Sequence, residues 1–410
     1  MHSTVFHLRL RDFELQAERR LDASLQTRPI AIISSHHQNG TVVSISKEAE
    51  EEGLRRGMKI SLVRRMRHGV RLLPYNNALY ERLNQYVHSI VQRFTPTVEP
   101  SGYGKFYMDM TGMERVYKSH EQSGSNIFDM VQDQVGLHSF LGISQNKLVS
   151  RISTSVVPDQ IHRVVVGNES QFLSLLNSPV IPTVHQPPVW KLIKFLILNQ
   201  VCQIQSIVDS VDDARRLFGL YALPLSREVR GQDLSMVRPP ILKDHIMEQT
   251  VLNEDTNDSA KLWSEVKRLS EQVAFKLRQR SQVAKIIRLE IHYTDGFKYE
   301  AKGQFLKHDD AAVMAETWRL FEKVNTRRNR IRAILLDVSA FVHVAKQMEL
   351  FEKDTEQDRI SLALDILRKK YSMNSTYNLK HSPNVGEIQR GISLFNIPLN
   401  PSINGGRGKV

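Results

Sequence analysis

At 410 residues the chain is too long for one ordinary domain, and about two to four are expected. A hydrophobic fraction of 41% with 24% charged residues fits a globular protein. The lone cysteine, Cys202, excludes a disulfide framework and a cysteine-based metal site, in keeping with a reducing cytoplasm. The formal charge of +12 points to a polyanionic partner, nucleic acid foremost, because clustered cations displace the counterions condensed on it.

No basic stretch followed by an apolar core opens the chain, so no signal peptide is expected. Val5 to Leu10 reads as a strand leading into a helix from about Asp12 to Leu21. Pro29 to Ser34 and Gly40 to Ile45 read as strands joined by the turn HHQNG. Glu48 to Met66 predicts two short helices broken at Gly53 and Gly57. From Asn76 to Phe94, Leu79, Leu83, Val87 and Ile90 recur at helical spacing. A hairpin at GYGKFYMDMT and a helix from about Asn126 to Val135 follow.

Residues 166 to 235 are helix-rich, and the most apolar run there, LIKFLILNQV, is short and holds Lys194, so no membrane span is expected. A helix from about Asp258 leads into Lys285 to Tyr293, where Ile287, Leu289, Ile291 and Tyr293 alternate with Arg288, Glu290 and His292. Period-two alternation marks a strand with one buried and one wet face. After another helix, Arg330 to Val338 repeats the pattern, giving a helix–strand–strand–helix–strand layout. An acidic stretch, EKDTEQD, precedes one more helix, ISLALDILRKKY. The last thirty-odd residues lack periodicity and are expected to be a flexible tail.

Three stretches resemble the Y-family (translesion) DNA polymerases. The family opens with a strand bearing an Asp, then F-x-x-Q-x-E, matched here by Phe13, Gln16 and Glu18. Its S-x-D-E-A-Y-L-D hairpin is matched by Gly104-Lys105-Phe106-Tyr107-Met108-Asp109. Its G-I-S-x-N-K element is matched by Gly142, Ile143, Ser144, Asn146 and Lys147. The resemblance implies an α+β right-hand architecture: palm over 1–25 and 75–165, fingers over 26–74, thumb over 166–240 and little finger over 241–346. A clamp-binding peptide and tail are implied over 347–410.

The matched motifs lack the family's metal ligands. Arg9 stands where the first metal-binding Asp is implied, and Gly104 and Lys105 stand for the Asp-Glu pair. Nucleotidyl transfer uses two magnesium ions, which need oxygen ligands, whereas Arg and Lys offer only donors and positive charge. No catalytic residue, metal or cofactor is therefore expected. Asp109 matches a non-ligand Asp and is read as a turn carboxylate. The fingers motif Y-E-A-R becomes Lys47-Glu48-Ala49-Glu50, the aromatic sugar gate becomes Glu14, and a phosphate-contacting Lys falls near Pro158. An active polymerase with ligands relocated to Asp109 and Asp12 is the alternative.

Binding features remain. Lys276, Arg278, Arg280, Lys285, Arg288, Arg327, Arg328, Arg330 and Arg332 are the candidates for sequence-independent contact with primer-template DNA, and some of them only solvate helix and strand faces. The fingers cations Arg55, Arg56, Lys59, Arg64, Arg65 and Arg67 are weaker candidates. Gln347-Met348-Glu349-Leu350-Phe351 fits Q-x-x-L-F and resembles a bacterial sliding-clamp peptide: Leu350 and Phe351 fill an apolar pocket while Gln347 fixes register. Together these features resemble the ImuB-type, non-catalytic branch of the family. That likeness implies a RecA-like accessory protein and an error-prone C-family polymerase as further partners, in a bacterial cytoplasm close to the nucleoid.

Overall fold

Strand β1 (Val5–Leu10) is the axis of the first of three sheets. In the computed structural model, which describes residues 3–66, 69–113, 116–117, 119–240, 243–305, 309–343, 363–366 and 368, it pairs antiparallel with two strands. These are β6 (Lys105–Asp109) and β7 (Ser139–Ser144). With β5 (Val98–Pro100) and β8 (Ile161–Arg163) the order is β5-β6-β1-β7-β8. The chain divides into two compact units, the first Met1–Arg20 with Asn77–Pro240, the second Leu21–Asn76 with the residues from Ile241 onward.

Side chains alternate across β1 and β6, so the two faces meet different helices. Phe6 packs edge-on to His120 of α5 (His120–Val135), and Phe106 lies against His88 of α4 (Asn77–Val91). On the opposite face His7 bonds Thr154 and Tyr107 lies under Lys147, both on α6 (Lys147–Val156). Gly142 lets α6 approach this closely, because a Cβ there would stand 2.2 Å from the Ser150 carbonyl oxygen. Helix α1 (Phe13–Leu21) buries Phe13, Leu15 and Ala17, and α5 begins six residues earlier than its periodicity predicts, capped by Ser119.

The rest of the first unit is helical. Helices α7 (Glu169–Ser174), α8 (Pro187–Phe195), α9 (Val201–Val208), α10 (Val211–Phe218) and α11 (Ala222–Val229) enclose a core that includes Leu173, Ile193, Ile204 and Leu225. Here Asn146 caps α6 by accepting from Val149 N–H at 3.0 Å and donates to the Gly231 carbonyl at 2.7 Å.

The second unit holds the other two sheets. The smaller has β2 (Ile30–Ile33) between β3 (Val42–Ile45) and β4 (Arg71–Pro74), with α2 (Lys47–Glu51) and α3 (Ile60–Val63) as the two short helices. The larger joins β9 (His245–Thr256), β10 (Gln282–Tyr293), β11 (Lys298–Gln304) and β12 (Ile331–His343) in the order β11-β10-β12-β9, every pair antiparallel. Helices α12 (Ser259–Gln279) and α13 (Asp310–Val324) share its core with Ile287, Leu289, Leu336 and Val338.

Strand β9 corrects the expected layout, which had no strand before α12. Its inward positions start and end on Ile246 and Leu252, but Glu248 and Thr250 stand between them. These polar residues are accommodated by Lys276, 2.7 Å from Glu248, and by Glu265, 3.2 Å from the Thr250 hydroxyl. Both partners sit on α12, so hydropathy alternation is blunted where the sheet meets its helix. The expected flexible tail after 368 lies outside the described residues.

Candidate nucleic-acid interface

Arg9 and Lys105 are cross-strand partners in the β1–β6 ladder. They share a face with His7 and Tyr107, because positions two apart on a strand point the same way. Arg9 donates to the Thr154 carbonyl at 3.2 Å, while Lys105 is exposed. Arg151, one turn after Lys147 on α6, completes a group of three cations whose fields reach His7. The His7 ring is lowered to about 3 from 6.5, by burial first and then by Arg151, Lys105 and Arg9. Its Nδ1 lies 2.8 Å from the Thr154 hydroxyl.

Gly104 ends the β5–β6 turn with φ at +67°, its N–H donating to Asn84 at 2.8 Å. A Cβ here would meet Phe13 at 2.9–3.0 Å, and an L side chain is strained at this φ. Asp109 turns its carboxylate to the Thr111 N–H at 3.0 Å, and Asp12 lies 3.7 Å from Arg11. Among the described residues, no group of three or more His, Cys, Asp or Glu side chains is placed to hold a metal ion. A magnesium pair needs several oxygen donors, and the facing Arg9 and Lys105 supply none. The residues present do not fit it.

The matched motif residues do structural work. Phe13 stacks on Tyr103 at 6.1 Å, and Glu18 accepts a hydrogen bond from the Tyr80 hydroxyl at 3.1 Å. Gln16 ties α1 to the chain before β7, accepting from the His138 N–H at 2.8 Å and donating to its carbonyl at 3.2 Å. Lys147 lies 2.6 Å from Glu99. On α2, Glu50 is exposed and pairs with Arg55.

The nine basic residues separate into different environments. Arg278 is largely withdrawn from solvent, its side chain 10% exposed: it grips Asp365 with two bonds of 2.8 and 2.7 Å and reaches Asp310 at 2.9 Å. Burial pulls its guanidinium pKa down, but Asp365 and Asp310 outweigh that and raise it. Arg368 joins the same network through Asp310 at 2.8 Å and Glu271 at 3.1 Å. Lys276 is committed to Glu248, Arg332 lies 3.5 Å from Asp255, and Arg288 lies 3.2 Å from Asp337 and 3.5 Å from Glu300. Arg327 pairs with Asp295 at 2.8 Å and lies over the Phe297 ring at 4.6 Å. Arg280 donates to the Lys243 carbonyl at 3.0 Å. Lys285, Arg328 and Arg330 are exposed, with no ion pair among the described residues.

On the sheet face that does not carry the helical core, Arg288 and Lys302 are matched by Asp337 and Glu300, beside exposed Met247, Val251 and Ile286. The exposed cations without an ion pair among the described residues are Lys285, near the start of β10, and Arg328 and Arg330 in the loop before β12. Gln347, Leu350 and Phe351 lie outside the described residues, as does Arg67. Sequence reasoning missed Arg151, although its i,i+4 spacing from Lys147 puts the two on one helix face. It also missed the contacts of Asp365 and Arg368 with Arg278 and Glu271 on α12 and Asp310 on α13. The i,i+3 spacing of Asp365 and Arg368 among apolar residues was the available sign.

Known proteins share this architecture. Residues 8–155 match the impB/mucB/samB family, and residues 243–350 match the C-terminal domain of that family. DNA polymerase IV of Dehalococcoides mccartyi is 24% identical over 386 residues, spanning 92% of this chain and 98% of the relative. DNA polymerase IV of Desulfatibacillum aliphaticivorans is 24% identical across 82% of this chain and 86% of its own length. Among solved structures, a Y-family DNA polymerase chimera, Dbh-Dpo4(243-245)-Dbh, superposes with a TM-score of 0.64 at 15% identity, covering 83% of this chain and 99% of that one. Two matched family domains, a shared fold and near full-length relatives converge: the chain is a homologue of the Y-family DNA polymerases.

Proposed function

We propose that this chain is a non-catalytic Y-family homologue that binds primer-template DNA and docks on the sliding clamp, as an adaptor in translesion synthesis and damage-induced mutagenesis. The observation that carries this reading is the Arg9–Lys105 pair beside Gly104, at the positions where the family resemblance implies metal-binding carboxylates. Two fixed cations repel a divalent ion, and the turn at Gly104 has no room for a side chain without movement. In this reading the five-stranded sheet is the palm, the three-stranded sheet the fingers, the helices α7–α11 the thumb, and the four-stranded sheet the little finger. Gln347, Leu350 and Phe351 form the clamp peptide. By its likeness to ImuB-type subunits, a RecA-like accessory protein and an error-prone C-family polymerase are the further partners.

The test is single-nucleotide incorporation on a primed template with magnesium or manganese. No incorporation above a mock preparation is expected. A second reading, an active translesion polymerase with rearranged ligands, is favoured by the relatives named DNA polymerase IV. Incorporation that disappears in Asp109→Ala would establish that reading and end the first.

A further inference from the structure

We propose that Arg9, Lys105 and Arg151 form a metal-independent phosphate seat on the five-stranded sheet, built on the non-catalytic reading above. Three carboxylates holding two divalent ions present about one net positive charge to a phosphate. Arg9 and Lys105 with Gly104 present about two with no ion bound, so attraction for phosphate outlives the loss of the ligands. The side-chain cations stand in for the metals.

Geometry supports a shared site. Arg9 and Lys105 face each other across one rung of the ladder, and Arg151 comes from the helix packed on the same face. Lys105 is exposed and Arg9 and Arg151 half-buried, so their donors remain within reach of solvent. Among the described residues neither Lys105 nor Arg151 has a carboxylate partner. The neighbouring Lys147, by contrast, is neutralised by Glu99. The acid on the same strand face, Asp109, is four residues from Lys105 and engaged with the Thr111 amide. The buried His7 feels all three: its pKa is lowered by burial first and then by Arg151, Lys105 and Arg9, while Glu99, Glu228 and Asp233 line a cavity beside Arg151. A guanidinium offers paired donors to phosphate oxygens, and a lysine adds a point charge.

The ligand chemistry is a phosphate oxyanion, from a DNA backbone or from a free nucleoside triphosphate. The experiment measures fluorescence anisotropy of the full chain in EDTA, in one arm with a labelled primer-template and in the other with a labelled nucleoside triphosphate. Lys105→Glu leaves packing untouched because its side chain is exposed; Arg9→Gln and Arg151→Gln follow. Each should weaken binding about fivefold or more in at least one arm, and added magnesium should not restore it. Loss in the DNA arm assigns a backbone phosphate, and loss in the triphosphate arm assigns a nucleotide. Wild-type affinity in both arms for Lys105→Glu, or wild-type binding that requires magnesium, overturns the seat. His7 ring resonances give a second readout: phosphate should raise its pKa in wild type and less in Lys105→Glu. Primer extension by the wild type would instead sink the non-catalytic reading, and weakened DNA binding by Lys285→Ala, Arg328→Ala and Arg330→Ala with Lys105→Glu unaffected in both arms would sink the seat alone.

Discussion

Arg9 of β1 stands directly opposite Lys105 of β6, so two cations occupy one rung of the central ladder in the first unit. Like charges placed directly across a ladder are destabilising. The strands hold because the flanking Phe6, Leu8, Phe106 and Met108 are fully buried, and because Arg9 is drawn aside to the Thr154 carbonyl. The arrangement makes sense when an anion lies between them.

His7 makes stability depend on acid. Its folded pKa, about 3, lies below the unfolded value of 6.5, so between those values the unfolded chain binds the extra proton. The contribution is complete above about pH 6.5 and declines as pH falls toward about 3, by about 1.4 kcal/mol per pH unit. Urea titrations of wild type and His7→Gln at pH 7.5, 6 and 5 should show the variant losing less stability on acidification. Parallel curves would mean that His7 opens to solvent.

Arg278 should behave as a structural residue. Removing one member of a buried, hydrogen-bonded charge network leaves its partners uncompensated, at about 3–5 kcal/mol. Arg278→Ala should therefore lower the unfolding midpoint strongly, since Asp310 and Asp365 lose one of the two guanidiniums they share and keep only Arg368. DNA affinity of the remaining folded protein should change little. A stable Arg278→Ala with weakened DNA binding would place this guanidinium at the interface.

The exposed cations should show the opposite behaviour. Each phosphate contact on duplex DNA contributes about 0.9 to the slope of log affinity against log salt. The triple variant Lys285→Ala, Arg328→Ala, Arg330→Ala should flatten that slope by up to about 2.7 units while leaving the unfolding curve unchanged. Arg288→Ala and Arg332→Ala, whose charges are already matched by Asp337 and Asp255, should flatten it less. An unchanged slope in the triple variant would remove this sheet from the DNA interface.

Leu350→Ala with Phe351→Ala should reduce clamp affinity by tens- to thousands-fold, since each apolar anchor buried in a pocket contributes about 1.5–3 kcal/mol. Gln347→Ala should cost less, because one hydrogen bond nets about 1 kcal/mol. Surface plasmon resonance against purified clamp measures both. A double variant that binds as the wild type does would dismiss the peptide.

The helices and most strands were legible because their burial is periodic: Leu79, Leu83, Val87 and Ile90, all expected on one helical face, are buried in α4. Strand β9 was not legible, since Glu248 and Thr250 interrupt its inward face and their partners lie on α12. The family frame could be read from motif order alone, because Phe13, Gln16 and Glu18 carry the spacing of the family motif. What could not be read was the difference between Arg278 and Arg328. A guanidinium has the same charge in sequence whether it is paired with Asp365 or exposed before β12, and only the packing that brings Asp310 and Asp365 to Arg278 separates them.

The turn at Gly104 limits what this position can hold. With φ at +67° and Phe13 only 2.9–3.0 Å from where a Cβ would stand, Gly104→Asp strains the backbone and must displace the ring. Arg9→Asp alone faces Lys105 across the same rung and forms an ion pair with it. Placing a set of carboxylates on this rung therefore takes a concerted change of the turn, of Phe13 and of both strand positions, and no single substitution supplies it.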